Sequence, residues 1–66
     1  MNEYKYKQGQ RIYFRMEVDD EKLEGWAIVE GNRGFIVIVK PEIALTNYPF
    51  THIYLVDTQV VEPPTL

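Results

Sequence analysis

The chain contains no cysteine, no serine and only one histidine, His52. Without cysteine it can form no disulfide, no thiolate metal site and no cysteine nucleophile. A single imidazole cannot supply the ligands of a histidine-rich zinc site. Thr51 lies beside His52, but neighbouring residues of a strand point to opposite faces, so the two cannot act together. The missing residue types therefore predict a protein that is not an enzyme and that holds no metal and no cofactor.

Long apolar runs and basic runs are also missing. No segment approaches the roughly 18 apolar residues of a membrane span, and no signal-peptide pattern opens the chain. Ten acids against seven bases give a net charge of −3, which disfavours a nucleic-acid partner. Arg11, Arg15, Lys5 and Lys7 are close together near the start and keep that alternative open. With the lack of cysteine, these features predict a cytoplasmic protein without a membrane partner.

The length of 66 residues allows one domain at most, residues 1–66. A chain of this size buries only about 60% of the surface that its unfolded form exposes, so its core is small. Disulfides and metals stabilise many such domains, and their absence leaves dense packing or association. The aromatic share of 14% is compatible with dense packing and with association, because aromatic side chains fill small cores and are enriched at interfaces.

Strict alternation of apolar and polar residues predicts a first strand over residues 11–18. One face of this strand carries only apolar side chains: Ile12, Phe14, Met16 and Val18. A period of two over eight residues is typical of a half-buried strand. The apolar face is therefore predicted to line the core.

Four further strands are predicted from apolar runs between turn signals. They cover residues 26–30, 35–40, 52–57 and 60–62, the last after a short turn at 58–59. Five short strands and no helical pattern predict an all-β domain, and closure into a small barrel would protect the edges of so apolar a sheet. For the ends of the chain, 1–8 and 63–66, ordered and frayed conformations both remain open.

The connections between the strands differ in chemistry. Residues 19–25 contain four acids and therefore predict a solvated loop. The acids lack the ligand spacing of a calcium-binding loop. Residues 31–34, Gly-Asn-Arg-Gly, predict a tight hairpin turn. Residues 41–51 predict a loop that is long for a small domain and that carries Tyr48 and Phe50.

The third strand is apolar on both faces. Its residues Phe35, Val37 and Val39 alternate with Ile36 and Ile38, and only one set can fill the barrel. The other set would form an apolar patch of a kind that soluble monomers seldom expose. We expect that patch to be covered either by a partner, which includes a second copy, or by the long loop.

The candidate partner-binding residues are the apolar and aromatic side chains of this strand and of the segments around it. They are Trp26, Ile36, Ile38, Tyr48, Phe50 and Tyr54. For Trp26 two interpretations remain open, a core filler or a recognition aromatic next to the acidic segment. No catalytic, cofactor-binding or metal-ligating residue is predicted.

Three segments resemble the small SH3-like barrels of bacteria and plasmids. They are Gly-Gln-Arg-Ile at 9–12, Gly-Trp-Ala-Ile-Val at 25–29 and Ile-Tyr-Leu-Val at 53–56. The resemblance covers residues 9–62 and implies a five-stranded SH3-like β-barrel.

A narrower likeness is to the type II (plasmid-encoded) dihydrofolate reductases, barrels that build one active pore from four chains. Their Val-Gln-Ile-Tyr segment is similar to Thr-His-Ile-Tyr at residues 51–54 here. His52 stands where that family has glutamine, and Phe14 or Arg15 falls where the family has the lysine of its first strand. The resemblance implies that a barrel of this kind can assemble through its outer face.

The sequence therefore predicts a non-enzymatic interaction or assembly module, which binds a protein partner or associates with itself as a homo-oligomer. One alternative is an oligomeric reductase, with Ile53 and Tyr54 lining a shared pore. Another is a nucleic-acid-binding barrel that uses the side of Arg11 and Arg15.

Overall fold

A computed structural model describes residues 6–42 and 52–64, and they contain five β-strands and one 3₁₀ helix but no α-helix. The strands are β1 Arg11–Val18, β2 Glu21–Arg33, β3 Ile36–Pro41, β4 Ile53–Leu55 and β5 Val60–Val61, and the 3₁₀ helix Asp57–Gln59 lies between β4 and β5. The predicted all-β fold with five strands is confirmed. Of the chain ends, residues 1–5 and 65–66 lie outside the described residues.

The five strands form one antiparallel sheet in the order β4-β3-β2-β1-β5. The sheet is curled into a half-barrel, and in the described ranges β4 and β5 are its two edges, whereas the sequence predicted a closed barrel. The register between β2 and β3 shifts between Val29 and Gly31, which leaves Glu30 as the extra residue of a bulge. A bulge bends its strand and increases the twist. The 13-residue β2 can therefore follow the curl of the sheet and pair with a neighbouring strand on each side of the bend.

The acidic segment is strand and turn rather than the predicted loop over 19–25. Strand β2 begins at Glu21 and pairs with β1 from the turn onward, with Val18 opposite Glu21. Only Asp19 and Asp20 form the connection, and their φ angles are 51° and 65°. Two successive residues with positive φ are typical of a type I′ hairpin turn, whose twist matches that of the flanking strands. The turn lacks the usual glycine, which is why its sequence did not reveal it.

The hairpin between β2 and β3 turns later than the predicted 31–34. The two-residue connection is Gly34–Phe35, flanked by the paired residues Arg33 and Ile36. Gly34 has a φ of 61°, in the left-handed region that glycine adopts without steric cost. Phe35, predicted as a strand residue, therefore lies in the turn, and 80% of its surface is exposed.

Strands β4 and β5 are each shorter than predicted: β4 begins at Ile53 and ends before the 3₁₀ helix that starts at Asp57, and β5 ends at Val61. The backbone N–H of Val56 donates to the side-chain oxygen of Gln59 at 2.8 Å. In return, the backbone N–H of Gln59 donates to the carbonyl of Val56 at 2.9 Å. These two bonds close the turn and direct the chain back to β1, where Val60 pairs with Phe14.

The core lies on the concave face of the sheet. It consists of eight buried apolar residues, two from each of β1 to β4: Ile12, Phe14, Ala27, Val29, Val37, Val39, Ile53 and Leu55. The core-facing prediction is confirmed for Ile12 and Phe14. Met16 is only partly buried against the core, and Val18 is half-buried near the hairpin turn. The alternation along β1 thus continues after the strand has passed the core.

The chain ahead of β1 closes one end of the half-barrel. The N–H of Gly9 donates to the carbonyl of Val29 at 2.7 Å. Tyr6 packs against the core, its carbonyl accepts a bond from the side chain of Asn32 at 2.9 Å, and its hydroxyl donates to Asp57 at 3.0 Å. From Tyr6 onward the chain is therefore held to β2 and to the 3₁₀ helix rather than frayed.

Candidate partner-binding face

The convex face of the sheet carries four of the six predicted partner-binding residues. They are Trp26, Ile36, Ile38 and Tyr54, each of which alternates with buried neighbours and so points away from the core. Tyr48 and Phe50 lie outside the described residues. The β3–β4 pairing places Tyr54 directly opposite Ile38, which lies 16 positions earlier in the sequence.

The structure decides which side of β3 fills the core. Val37 and Val39 are buried, whereas Ile36 and Ile38 are half-buried on the convex face. Phe35, which the alternation grouped with the valines, lies in the turn instead. The prediction that β3 leaves one apolar set outside the core is therefore confirmed for the two isoleucines.

Four apolar residues, Ile36, Ile38, Tyr54 and Val56, share the convex side of β3 and β4, and Phe35 lies in the turn just before β3. We call these five residues the β3–β4 patch. Ile38 pairs directly with Tyr54, and the same register continued along the extended backbone of Val56 places Val56 opposite Ile36. Tyr54 is 58% exposed and Phe35 80% exposed. Exposed apolar residues that are grouped on one face often mark interaction sites in soluble proteins. Phe35 and Val56 were not among the predicted partner-binding residues, because their places depend on the turn and on the β3–β4 register.

Charged side chains stand at the two ends of the patch. At one end Arg33 is paired with Ile36 across the β2–β3 ladder. At the other end the imidazole Nε2 of His52 lies 3.5 Å from Oε1 of Glu30, and Lys40 is exposed nearby on the same face. An apolar centre with a polar rim is the usual composition of a protein interface.

A second group on the convex face surrounds Trp26 on β1 and β2. The Tyr13 ring meets the Trp26 ring edge-on, with 5.3 Å between centroids, and the Arg11 guanidinium lies 4.1 Å from the Trp26 centroid. Arg11 donates from Nε and Nη2 to the two carboxylate oxygens of Glu42 at 2.7 and 3.0 Å. Trp26 is therefore the centre of a surface network, and the interpretation of this residue as a core filler is wrong.

The network continues to Glu24 on β2. The hydroxyl of Tyr13 donates to Glu24 at 2.8 Å, and Nε of Arg15 lies 3.4 Å from the other carboxylate oxygen. Both arginines of the nucleic-acid alternative are thus paired with carboxylates, which a phosphate would first have to displace. Of the two lysines in that alternative, Lys7 is exposed and Lys5 lies outside the described residues.

The contacts in the network shift the pKa values of its members. The hydrogen bond from Tyr13, followed by the charge of Arg15, lowers the pKa of Glu24. The hydrogen bonds from Arg11, followed by its charge, lower the pKa of Glu42. The same bonds raise the pKa of Tyr13 and of Arg11. The folded state therefore favours ionised carboxylates and a protonated phenol at these positions.

The lowered pKa values of Glu24 and Glu42 predict a loss of stability in acid. A carboxylate with a lowered pKa stabilises the fold above the pKa of the unfolded chain, and this contribution disappears as pH falls through the folded pKa. We expect the urea midpoint of the wild type to fall below about pH 4.3, the ordinary glutamate pKa. The double variant Glu24→Gln/Glu42→Gln should show a shallower fall.

Equilibrium urea unfolding at constant ionic strength, from neutral to acidic pH, measures this difference. The control variant Glu21→Gln/Glu62→Gln removes two exposed carboxylates elsewhere and should keep the slope of the wild type. Equal slopes for the network variant and the wild type would contradict a stabilising role of the two carboxylates.

Within residues 6–42 and 52–64, no three carboxylate or histidine side chains are grouped so that they could hold a metal ion. In the same ranges, no helix has the length and apolar character needed to cross a membrane.

The two residues of the reductase alternative point to opposite faces of β4. Ile53 is buried in the core, while Tyr54 is exposed on the convex face, so their side chains cannot line one pore together. His52, at the position of the family's glutamine, lies next to Glu30 at the end of the patch. Comparison with protein-family models, with curated proteins and with solved structures finds no match for this chain.

Proposed function

We propose that this protein is a non-enzymatic interaction module on an SH3-like scaffold, which binds a protein partner through the β3–β4 patch. The observation that carries the proposal is the exposure of Tyr54 and Phe35, 58% and 80%, beside two half-buried isoleucines. The scaffold assignment is supported by the five strands and by the 3₁₀ helix that precedes the last of them. The lack of cysteine supports a reducing, cytoplasmic setting.

The energy available to a complex comes from covering the patch. A fully buried isoleucine or phenylalanine contributes about 1.5–3 kcal/mol relative to an exposed one. Ile36 and Ile38 are already half-buried, so a partner can add only part of this free energy by covering them. Phe35 is mostly exposed, so covering it can add most of this free energy. Tyr54 adds a ring whose hydroxyl can remain at the rim, a combination that makes tyrosine frequent among the residues that dominate binding.

A photo-cross-linking experiment tests the proposal. Tyr54 is replaced by p-benzoylphenylalanine, which keeps an aromatic group at the patch, and the matched control carries the same group at Thr58, an exposed position on the 3₁₀ helix outside the patch. We expect irradiation in cells to give a discrete protein adduct from position 54 and none from position 58. The adduct should disappear when Ile38→Gln is added, because that change removes apolar surface at the centre of the patch. If position 54 gives no adduct, or one that is indifferent to Ile38→Gln, the patch is not a binding surface.

A further inference from the structure

We infer that the Arg11–Glu42 pair is a movable strap over Trp26, which opens in high salt or in acid and exposes the ring. The strap lies on the β1–β2 side of the convex face, apart from the β3–β4 patch, and its role does not depend on the proposed function. In the closed state, which the structure shows, the Arg11 guanidinium is 4.1 Å from the Trp26 centroid. The ring beneath it is that of the single tryptophan of the chain.

Both ends of the strap are fixed to the sheet through the backbone. Arg11 begins β1 and pairs with Ile28 of β2. The backbone N–H of Glu42 donates to the carbonyl of Trp26 at 2.9 Å, so Glu42 continues the ladder between β2 and β3 opposite the tryptophan. To reach Glu42, the side chain of Arg11 crosses β2 over two strand spacings of about 4.8 Å each. When the strap opens, only side chains have to move, and the sheet keeps its pairing.

The contacts of the strap hold it closed without locking it. Arg11 donates to both carboxylate oxygens of Glu42, and its guanidinium also lies over an aromatic ring. The side chain of Arg11 is 53% exposed and that of Glu42 is 34% exposed. Exposed ion pairs and exposed cation–π contacts each favour the closed arrangement only a few-fold, because water and salt ions screen the charges. The closed state therefore predominates, and the open state remains within reach.

Other titratable groups border the strap on each neighbouring strand. On β1 and β2, Tyr13 donates to Glu24, and Arg15 forms an ion pair with the same carboxylate. On β3, Lys40 is exposed on the same face as the strap, two positions before its carboxylate. Lys40 is thus a second cation for that carboxylate, which lowers the cost of releasing the arginine.

Acid acts on the strap through its carboxylate. Protonation of Glu42 removes the charge that holds Arg11. The hydrogen bonds and the charge of Arg11 lower the pKa of Glu42, so the closed state persists until the pH falls below about 4.3, the ordinary glutamate pKa. Glu24, whose pKa is also lowered, holds Tyr13 and Arg15 rather than the strap.

Acrylamide quenching of the Trp26 fluorescence tests the strap on the full chain at neutral pH. Acrylamide is uncharged, so a lost charge on the protein changes quenching only through access to the ring. We expect Arg11→Gln to raise the quenching constant at least about 1.5-fold, because the cover of the ring is removed. Glu42→Gln should raise it less, since the cation–π contact remains. The double variant should resemble Arg11→Gln, because residues of one pair do not act additively.

The matched control is Arg15→Gln, which removes an arginine from the same face of β1, two positions further along the strand. This variant should change the quenching constant by less than about 1.2-fold, since Arg15 is paired with Glu24. Far-UV circular dichroism checks that each variant keeps the folded sheet. A change for Arg15→Gln as large as that for Arg11→Gln would contradict a specific cover.

Titrations with salt and acid test whether the strap opens in the wild type. From about 0.02 to 1 M sodium chloride, where screening becomes strong, we expect the wild-type constant to rise towards that of Arg11→Gln, which itself should stay constant. In acid, while circular dichroism still shows the folded sheet, Glu24→Gln should keep the rise of the wild type and Glu42→Gln should lose it.

Equal quenching constants for the wild type and Arg11→Gln at low salt would show that the arginine does not cover the ring and would overturn the inference. A wild-type constant that stays low at every salt concentration and pH would show a fixed contact and would overturn it as well. The cross-link from position 54 reports on the β3–β4 patch alone, so either result leaves the proposed function unchanged.

Discussion

Phe14→Ala is expected to lower the free energy of unfolding by about 3–5 kcal/mol, the range found for removal of a buried phenylalanine ring. Phe14 has no exposed surface, and β1 holds it between Gly25 of β2 and Val60 of β5. Gly25 has no side chain that could move into the space of the lost ring, so the cavity would remain. A domain of this length has a total stability of only about 3–10 kcal/mol, so the substitution removes about a third of it or more.

The matched control is Phe35→Ala, the same substitution in an exposed turn. Measured at a concentration where the protein is monomeric, it should change the free energy of unfolding by less than about 0.5 kcal/mol. Urea unfolding followed by the fluorescence of the single tryptophan, Trp26, reports both variants. Phe14→Leu gives a second core variant in case the alanine variant has no folded baseline. Similar values for Phe14→Ala and Phe35→Ala would show that the register of β1 is wrong.

Leu55→Ala is expected to cost about 2–5 kcal/mol, because Leu55 is also fully buried. In the described chain, β4 has three residues and pairs only with β3, where Leu55 is opposite Val37. So short an edge strand is held mainly by its two core side chains, Leu55 and Ile53. Loss of one of them should loosen β4 as well as weaken the core.

Urea unfolding measures the global effect, and amide hydrogen exchange of residues 53–55 measures the local one. Leu23→Ala is the matched control, since Leu23 is only partly buried and belongs to the β1–β2 hairpin. We expect it to cost less than half as much as Leu55→Ala and to leave the exchange of β4 unchanged. Equal costs would show that β4 is not anchored through Leu55.

Strand β1 could be predicted to the residue, whereas the strand that follows it could not. The alternation over Arg11–Val18 has one interpretation, because a period of two fits only a half-buried strand. The acidic residues after it predicted a solvent-exposed loop. They are exposed to solvent, but they lie on a paired hairpin rather than on a loop. Opposite charges meet across that hairpin, Glu17 facing Lys22 and Arg15 facing Glu24, and such pairs stabilise strands. Their complementarity is visible only after the Asp-Asp turn has set the register.

The apolar and aromatic character of the candidate site could be predicted from the sequence, but the full set of its residues could not. The isoleucines of β3 and the ring of Tyr54 could be recognised, because a strand with apolar side chains on both faces is normally packed against other groups on each face. Val56 joins them only through the β3–β4 register, and Phe35 only because the turn extends to residue 35, one residue beyond the predicted 31–34. The environment of Trp26 depends on Glu42, which lies beyond the end of β3 and reaches Arg11 across the sheet.

The amino-acid sequence by itself determines the all-β class, the position of β1 and the excess of apolar side chains on β3, because all three follow from local alternation and composition. The choice of Val37 and Val39 for the core, and of Ile36 and Ile38 for the surface, depends on the assembled sheet. Both sets are equally apolar, so local preference cannot separate them. The two-residue turn at Gly34–Phe35 and the bulge in β2 set the pairing register of β3 with β2, and that register decides which side of the strand faces the core.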